Sequence, residues 1–599
     1  MLTLTPPPKS MKQTHERWHP APASIPAKLT AYQLGDPPIA EIVRHHSQEQ
    51  AAEGYRLVVR EQGPEIHCSS DRGYFYGIQT LKQVIQQSQS SEGIPGCDII
   101  DWPDFPSRGI LLDISRDRVP TQAMLYHLVD LWGSLKYNEL QLYMEAAFDY
   151  EGHAAAVAHR SPLTATEIRE LDQYCAKKGI SLIANQNTFG HMERWLDLPD
   201  YQHLAEQVGG CIDPHGNHRN HSFCLNPVSE QSVAFVDDLL SQLLPCFTDN
   251  RININADETF DLGQGASNAK CRELGKDRVY LNYVKHIHEL CTRKGKRVQM
   301  WSDILLKYPH LLPELPKDIT VMNWGYEADH PFDRECAQLK SSGIDFQVVA
   351  ATGTFAAFSG RWLNAYQNTL NAAQNGLKYG ASGFYMSEWG DFGHGQAWIS
   401  AYPGYFIGAV AGWHVAALSD FNTERAVQHQ VLNNATLAIA LLKLGNLYLS
   451  TLTADQLPFV SVIGVLLFNQ MTNRHMKKLS EWYPRGFRHG WHQCQQLIEA
   501  LGAITPEDER QSYWQRELLL TARLSAHACA LGEALSEQRD YRVERLSFKL
   551  RQQLAEELEP LISDYADLWL EHSRPGGLDD SKARLDYLLS LYRSPPRAG

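Results

Sequence analysis

The chain has 599 residues, too many for a single hydrophobic core, so two to four domains are expected. Hydrophobic residues make up 43% and charged residues 21%, the balance of a globular protein and not of a disordered or fibrous one. The formal charge of −14 would repel phosphate backbones, which argues against a nucleic-acid partner.

From the N-terminus, MLTLTPPPKSMKQTHERWHP lacks the apolar stretch of a signal peptide and is broken by Pro6, Pro7 and Pro8. No run of about 18 apolar residues follows anywhere, so no membrane contact is expected. The eleven cysteines include no CxxC pair, which points to reduced thiols, a cytoplasmic setting and no structural zinc. Residues 1–104 read as a small α/β domain. Tyr55–Arg60 and Glu65–Ser69 are its strand-like runs, a helical pattern covers Arg72 to about Gln86, and the proline-broken DWPDFPS at Asp101–Ser107 is the linker.

Residues 105–420 alternate strand and helix. The expected strands are Gly109–Asp113, Glu139–Tyr143, Ser181–Asn185, Ile252–Ala256, Val298–Trp301, Thr320–Asn323, Phe346–Ala350 and Gly383–Met386. Thr121 can cap the first intervening helix, Thr164 and Glu167 form a capping-box pattern for the next, Gly179 can stop it, and Ser229 can open another. The helix Tyr280–Arg293 should end near Gly295. Eight such units predict a (β/α)8 TIM barrel. A doubly wound sheet is the alternative, but no glycine-rich phosphate loop follows the first strand. Residues 421–599 show no strand alternation; Leu546, Leu550, Leu554 and Leu558 mark one helical face, and Trp514, Leu518 and Ala522 another. A helical domain is expected, with a frayed SPPRAG tail and a surface through which a homodimer could form.

The stretch RININADETFDLGQG, Arg251–Gly265, ends a strand in adjacent carboxylates, Asp257 and Glu258. Two acids at a strand end are costly to desolvate unless chemistry uses them. A conventional glycosidase pair faces across the sugar at roughly 5 to 9.5 Å. Immediate neighbours suit a division of labour instead, one donating a proton and the other orienting a substrate group. In a barrel the active site gathers at the strand C-termini. Here those ends offer Asp113 and Arg116, Tyr143 and Glu145, His191, Asp257 and Glu258, Trp301 and Asp303, Trp324 and Tyr326, then Trp389, Asp391 and His394. Acids, a guanidinium and three tryptophans on one rim point to a carbohydrate-active site.

The pieces RGILLDISRDRVPT, LKYNELQLYME, INADETFDLGQG, MWSDIL, MNWGYE and SEWGDFGH resemble glycoside hydrolase family 20, the β-N-acetylhexosaminidases. YGIQTLKQVI resembles the end of the small domain that precedes the barrel in that family, and the helical C-terminal region resembles that of compact intracellular bacterial exo-acting members. The resemblance implies exo-cleavage of terminal β-linked GlcNAc or GalNAc by substrate-assisted retention, without metal or organic cofactor. It implies Glu258 as general acid and base, and Asp257 as the partner of the substrate's acetamido N–H. Arg116 and Asp391 would grip sugar hydroxyls, and Trp301, Trp324 and Trp389 would wall the acetamido pocket and stack on the sugar. His191, Glu145, Asp303 and Tyr326 complete the expected substrate-binding set. One departure stands out. The segment after the seventh strand, ATGTFAAFSGRW, has no tyrosine to hold the acetamido carbonyl, and Tyr326 is the candidate substitute. A glycosidase for a sugar without an acetamido group, and a silent sugar-binding protein, are the competing readings.

Overall fold

In a computed structural model the described residues are 2–20, 24–88, 93–214, 216–451, 460–468, 484–538 and 542–595. The N-terminal sheet has five strands, β1 (Ser10–Trp18), β2 (Val43–His46), β3 (Tyr55–Arg60), β4 (Gly63–Cys68) and β5 (Ile94–Asp101), in the order β1-β5-β3-β4-β2. The helix Asp71–Gln86 packs on one face, burying Tyr74, Phe75, Ile78 and Leu81 against Leu57, Ile66 and Ile99. Ser70 caps it by accepting the Gly73 N–H. The sequence reading lacked β1 and β5. The first is a polar edge strand with almost every side chain exposed, and the second has its alternation broken by Pro95 and Gly96.

Eight parallel strands then close a barrel: β6 (Ser107–Asp113), β7 (Glu139–Tyr143), β8 (Ser181–Asn185), β11 (Arg251–Asn253), β12 (Arg297–Trp301), β13 (Thr320–Trp324), β14 (Asp345–Ala351) and β15 (Gly383–Glu388). The short hairpin β9 (Cys211–Ile212) and β10 (His218–Arg219) interrupts the run between β8 and β11. Closure comes from β15 pairing with β6 and β8 pairing with β11. Each of the eight expected strands is present. The fourth is shorter than expected and stops at Asn253, because Asn255, Ala256 and Glu258 take left-handed φ angles of 59°, 62° and 50° that no strand can continue. The expected caps form: Thr121 accepts the Met124 N–H, Thr164 and Glu167 make a reciprocal capping box, and Ser229 accepts the Gln231 N–H.

The barrel interior is not a plain aliphatic stack. Gln141 donates to Gln299 Oε1 at 2.9 Å, Asn185 and Asn253 each donate to Gln141 Oε1 at 3.0 Å, and Gln299 donates to Gln347 Oε1 at 3.2 Å. These amides are nearly fully buried, so their mutual hydrogen bonds offset the cost of desolvating them.

Beyond the barrel the longer described elements are helices: Pro484–Gly502, Glu509–Ser536, Phe548–His572 and Leu578–Arg593. Trp514, Leu518 and Ala522 are buried as one face, and Leu554 and Leu558 as another. Leu546 precedes its helix and is buried; Leu550 is partly buried. The last four residues of the expected frayed tail lie outside the described residues. Among the described residues no helix is long and apolar enough to cross a membrane.

Candidate active site

The polar interior continues upward into the strand-end face. Asn255 donates to Asn185 Oδ1 at 2.9 Å and accepts the Trp301 indole N–H at 2.8 Å, so the amide network sets the orientation of that ring. The left-handed turn after β11 then carries Asp257 and Glu258 out of the sheet. Gly190 backs onto this turn; a Cβ there would lie 2.6 Å from the Asp257 carbonyl oxygen, so only glycine allows the approach. His191 follows, also at a positive φ of 57°. Four non-glycine residues in left-handed geometry around two acids mark a strained, over-determined site.

His191 Nε2 lies 3.4 Å from both Asp257 Oδ2 and Glu258 Oε2. Burial opposes a charge on the imidazole, but Asp257 and Glu258 outweigh it and raise its pKa well above the ordinary histidine value. The two acids differ in access: the Glu258 side chain is 34% exposed, that of Asp257 only 11%. Beneath them Asp303 Oδ2 accepts the Glu258 backbone N–H at 3.0 Å. Burial, then the nearby charge of Asp257, pushes the Asp303 carboxyl up to about 8.

A cavity of about 400 Å3 opens in front of this wall. Its far side is built from β6 and the β15 loop. Asp113 accepts from the Arg116 backbone and guanidinium and from Gly390 N, tying the two loops together. Arg116 also pairs with Glu145 at 3.1 Å and stacks over Tyr143 and Trp389, 4.5 and 5.2 Å from their ring centres. Burial raises the Asp391 pKa, and the Arg116 charge pulls it back down. Trp324 stacks on Tyr326 at 5.0 Å, and Tyr326 meets Phe355 and Trp389 at 5.8 and 6.3 Å.

Of the expected site residues, Arg116, His191, Asp257, Glu258, Trp301, Trp324, Tyr326, Trp389 and Asp391 line this one cavity. Glu145 and Asp303 do not. Glu145 is buried behind Arg116, where it also accepts from Tyr143 Oη and pairs with Arg194; Asp303 stands behind Glu258. Tyr143, expected at the end of its strand, also lines the wall, as do Phe260, Phe355 and the hairpin residues Asp213, Pro214 and Arg219, which were not expected there. Phe355 occupies the loop after β14, where the sequence lacks a tyrosine. Glu388 and His394 are fully buried, and Glu388 is held by Thr352, Thr354 and Gln396.

His191, Asp257 and Glu258 are close enough together to be considered as metal ligands, as are His45, Glu65 and His67 on the outer face of the N-terminal sheet. In the first group the imidazole already lies 3.4 Å from both carboxylates.

Comparison with known proteins gives the family of the chain. Residues 105–379 match the family model for the glycosyl hydrolase family 20 catalytic domain, and residues 9–102 match the model for domain 2 of the same family. The chain belongs to glycosyl hydrolase family 20. Among curated relatives, the beta-hexosaminidase subunit beta of Mus musculus is 26% identical, over 49% of this chain and 55% of its own length. The lacto-N-biosidase of Bifidobacterium bifidum is 25% identical, over 46% of this chain and 24% of its own length. The chain thus spans about half or less of these relatives. Among solved structures, a chitobiase of Flavobacterium johnsoniae superposes with a TM-score of 0.57 at 16% identity, covering 98% of this chain and 99% of the other; at that identity the likeness is one of fold.

Proposed function

We propose that this family 20 chain is an exo-acting β-N-acetylhexosaminidase, removing terminal β-linked GlcNAc or GalNAc from glycans by substrate-assisted retaining hydrolysis. The observation that carries the reading is the single wall holding Asp257 and Glu258 side by side, the first recessed and the second open to the cavity. Glu258 delivers a proton to the glycosidic oxygen as the C1–O bond breaks. The substrate's acetamido carbonyl oxygen attacks C1 from the opposite face, forming an oxazolinium ring. Held within one molecule, this nucleophile gains the rate advantage of intramolecular reactions. Asp257 accepts the amide N–H and stabilises the positive charge that grows there. Glu258, now ionised, takes a proton from the water that reopens the ring. His191 holds both carboxylates in place, and Asp303 fixes the backbone beneath the acid.

Tyr326 is the phenol positioned to donate to the acetamido carbonyl. Burial raises its pKa well above the ordinary tyrosine value, so it keeps its proton at any working pH. Trp301, Trp324 and Trp389 enclose the acetamido methyl and the sugar face. Arg116 and Asp391 hold the outer hydroxyls, which favours a chain end over an internal unit. All eleven cysteines are unpaired, in keeping with a cytoplasmic setting.

Hydrolysis of p-nitrophenyl β-GlcNAc and β-GalNAc, beside the β-glucoside and β-galactoside, tests this directly. Turnover should be confined to the acetamido sugars and inhibited by a thiazoline analogue of the oxazolinium. Glu258→Gln should lower kcat/KM by about 10^3-fold, and Asp257→Asn by about 10^2-fold or more. Turnover of the plain glycosides at equal rates would sink the acetamido mechanism.

A further inference from the structure

The wall that carries Glu258 also has an outer side. A second cavity, of about 530 Å3, adjoins the first, and Asp213, Pro214, Glu258 and Phe260 line both. A general acid must touch the oxygen that joins the bound sugar to the departing group. The departing group therefore lies against Glu258 on the side away from the sugar-gripping residues, in this second space.

Two cations line it, and a third, Arg219, lines the first cavity beside Phe260, which the two spaces share. Arg219, on β10, sits over the rings of Phe223 and Phe260 at 5.1 and 4.8 Å. Lys276 and Lys307 line the second cavity. Lys307 lies 5.7 Å from the Tyr308 ring centre, and among the described residues none of the three cations forms an ion pair with a carboxylate. Their neighbours in the chain behave otherwise: Lys270 pairs with Glu273 and Arg278 with Glu314. The acids facing the groove are Asp213, Glu258 and Asp303. Burial keeps Asp303 largely protonated near neutral pH, and Glu258 must carry its proton when substrate binds. The groove is then positive on balance in a chain whose net charge is −14.

We propose that this outer cavity binds the leaving group and selects one carrying an anionic substituent, a uronate carboxylate or a sulfate ester, through Arg219, Lys276 and Lys307. The inference rests on the hydrolase reading above. Partly exposed charges act over about a Debye length and are screened by salt, so the preference should be salt-sensitive.

The test compares kcat/KM for disaccharides with terminal β-GlcNAc on glucuronate, on its methyl ester, on 6-sulfated GlcNAc and on GlcNAc. Wild type is set beside the triple variant Arg219→Gln, Lys276→Gln, Lys307→Gln. Wild type should favour an anionic leaving group over its neutral counterpart by about tenfold at low salt, as three modest charge contacts would give. That ratio should fall toward one at high salt and in the triple variant. A preference for only the carboxylate or only the sulfate supports the inference and names the group. Equal rates within both pairs, or a preference the triple variant retains, overturns it while leaving the hydrolase reading intact. Failure to turn over any acetamido sugar overturns both.

Discussion

The two regions that flank the barrel grip opposite ends of its strands. The N-terminal sheet meets the strand starts. Arg108, near the start of β6, pairs with Glu53 at 2.8 Å and donates to Tyr76 Oη, and Lys136, just before β7, pairs with Asp101 at 2.9 Å. The helical C-terminal region meets the strand ends. Arg118, beyond β6, donates to Ser573 Oγ and to the Gln396 carbonyl, while Glu517 accepts the backbone N–H groups of Trp398 and Ile399. On the loop that carries Asp391, Ser581 donates to the Gly393 carbonyl, and Arg584 donates to the Phe392 carbonyl at 2.7 Å. The contacts are chemically alike, polar anchors that are mostly buried, the Arg584 bond being the exposed one. Their consequences differ because catalysis occupies one end of a barrel only.

The largest effect that would break this contrast is one on stability from the strand-start side. Lys136→Met strands a buried Asp101 that keeps only its neutral donors, Tyr55, Trp413 and the Lys9 backbone. It should cost about 3 to 5 kcal/mol in denaturant unfolding, with KM unchanged in the folded enzyme. A raised KM would show that the N-terminal sheet reaches the site. Next in size, the double variant Ser581→Ala, Arg584→Ala loosens the Asp391 loop without touching substrate. KM should rise by about tenfold, as expected when positioning is lost, with kcat less affected; an unchanged KM would confine the helical region to packing.

The third signal is a pH slope at the strand ends. Folded Asp303 keeps its proton up to about pH 8, while the unfolded chain releases it near the ordinary carboxyl value. The unfolded state thus binds fewer protons between those values, and wild type should lose stability as pH rises through that window, then level off. Asp303→Asn retains an acceptor for the Glu258 N–H and should abolish that slope in melting curves recorded from pH 5 to 9. Parallel curves for the two proteins would show that Asp303 is ordinarily ionised.

The barrel was legible because its strands are buried on both faces and read as short apolar runs, all but β14 ended by a polar or aromatic residue that the fold brings to one rim. Asp257, Glu258, Arg116 and the three tryptophans could be found from that rule alone. Phe355 could not, since nothing distinguishes it from the other aromatics in ATGTFAAFSGRW until β14 is placed. The hairpin that brings Asp213 and Arg219 to the cavity was hidden for another reason: its strands are two residues each and carry no periodicity. Glu145 and Asp303 follow the strand ends as a rim residue should, but depth below the rim is not written in sequence order. The early end of β11 had only Asn255 as a hint, a residue type that tolerates left-handed backbone.

The amide network inside the barrel carries an implication for how such a chain can change over generations. Each link has a direction, one side chain giving a hydrogen and the next taking it, so reversing or deleting one link leaves its neighbours with buried, unanswered groups. Gln141, Asn185, Asn253, Gln299 and Gln347 therefore form an inherited unit: drift can replace the set, and single replacements within it are the ones selection would remove.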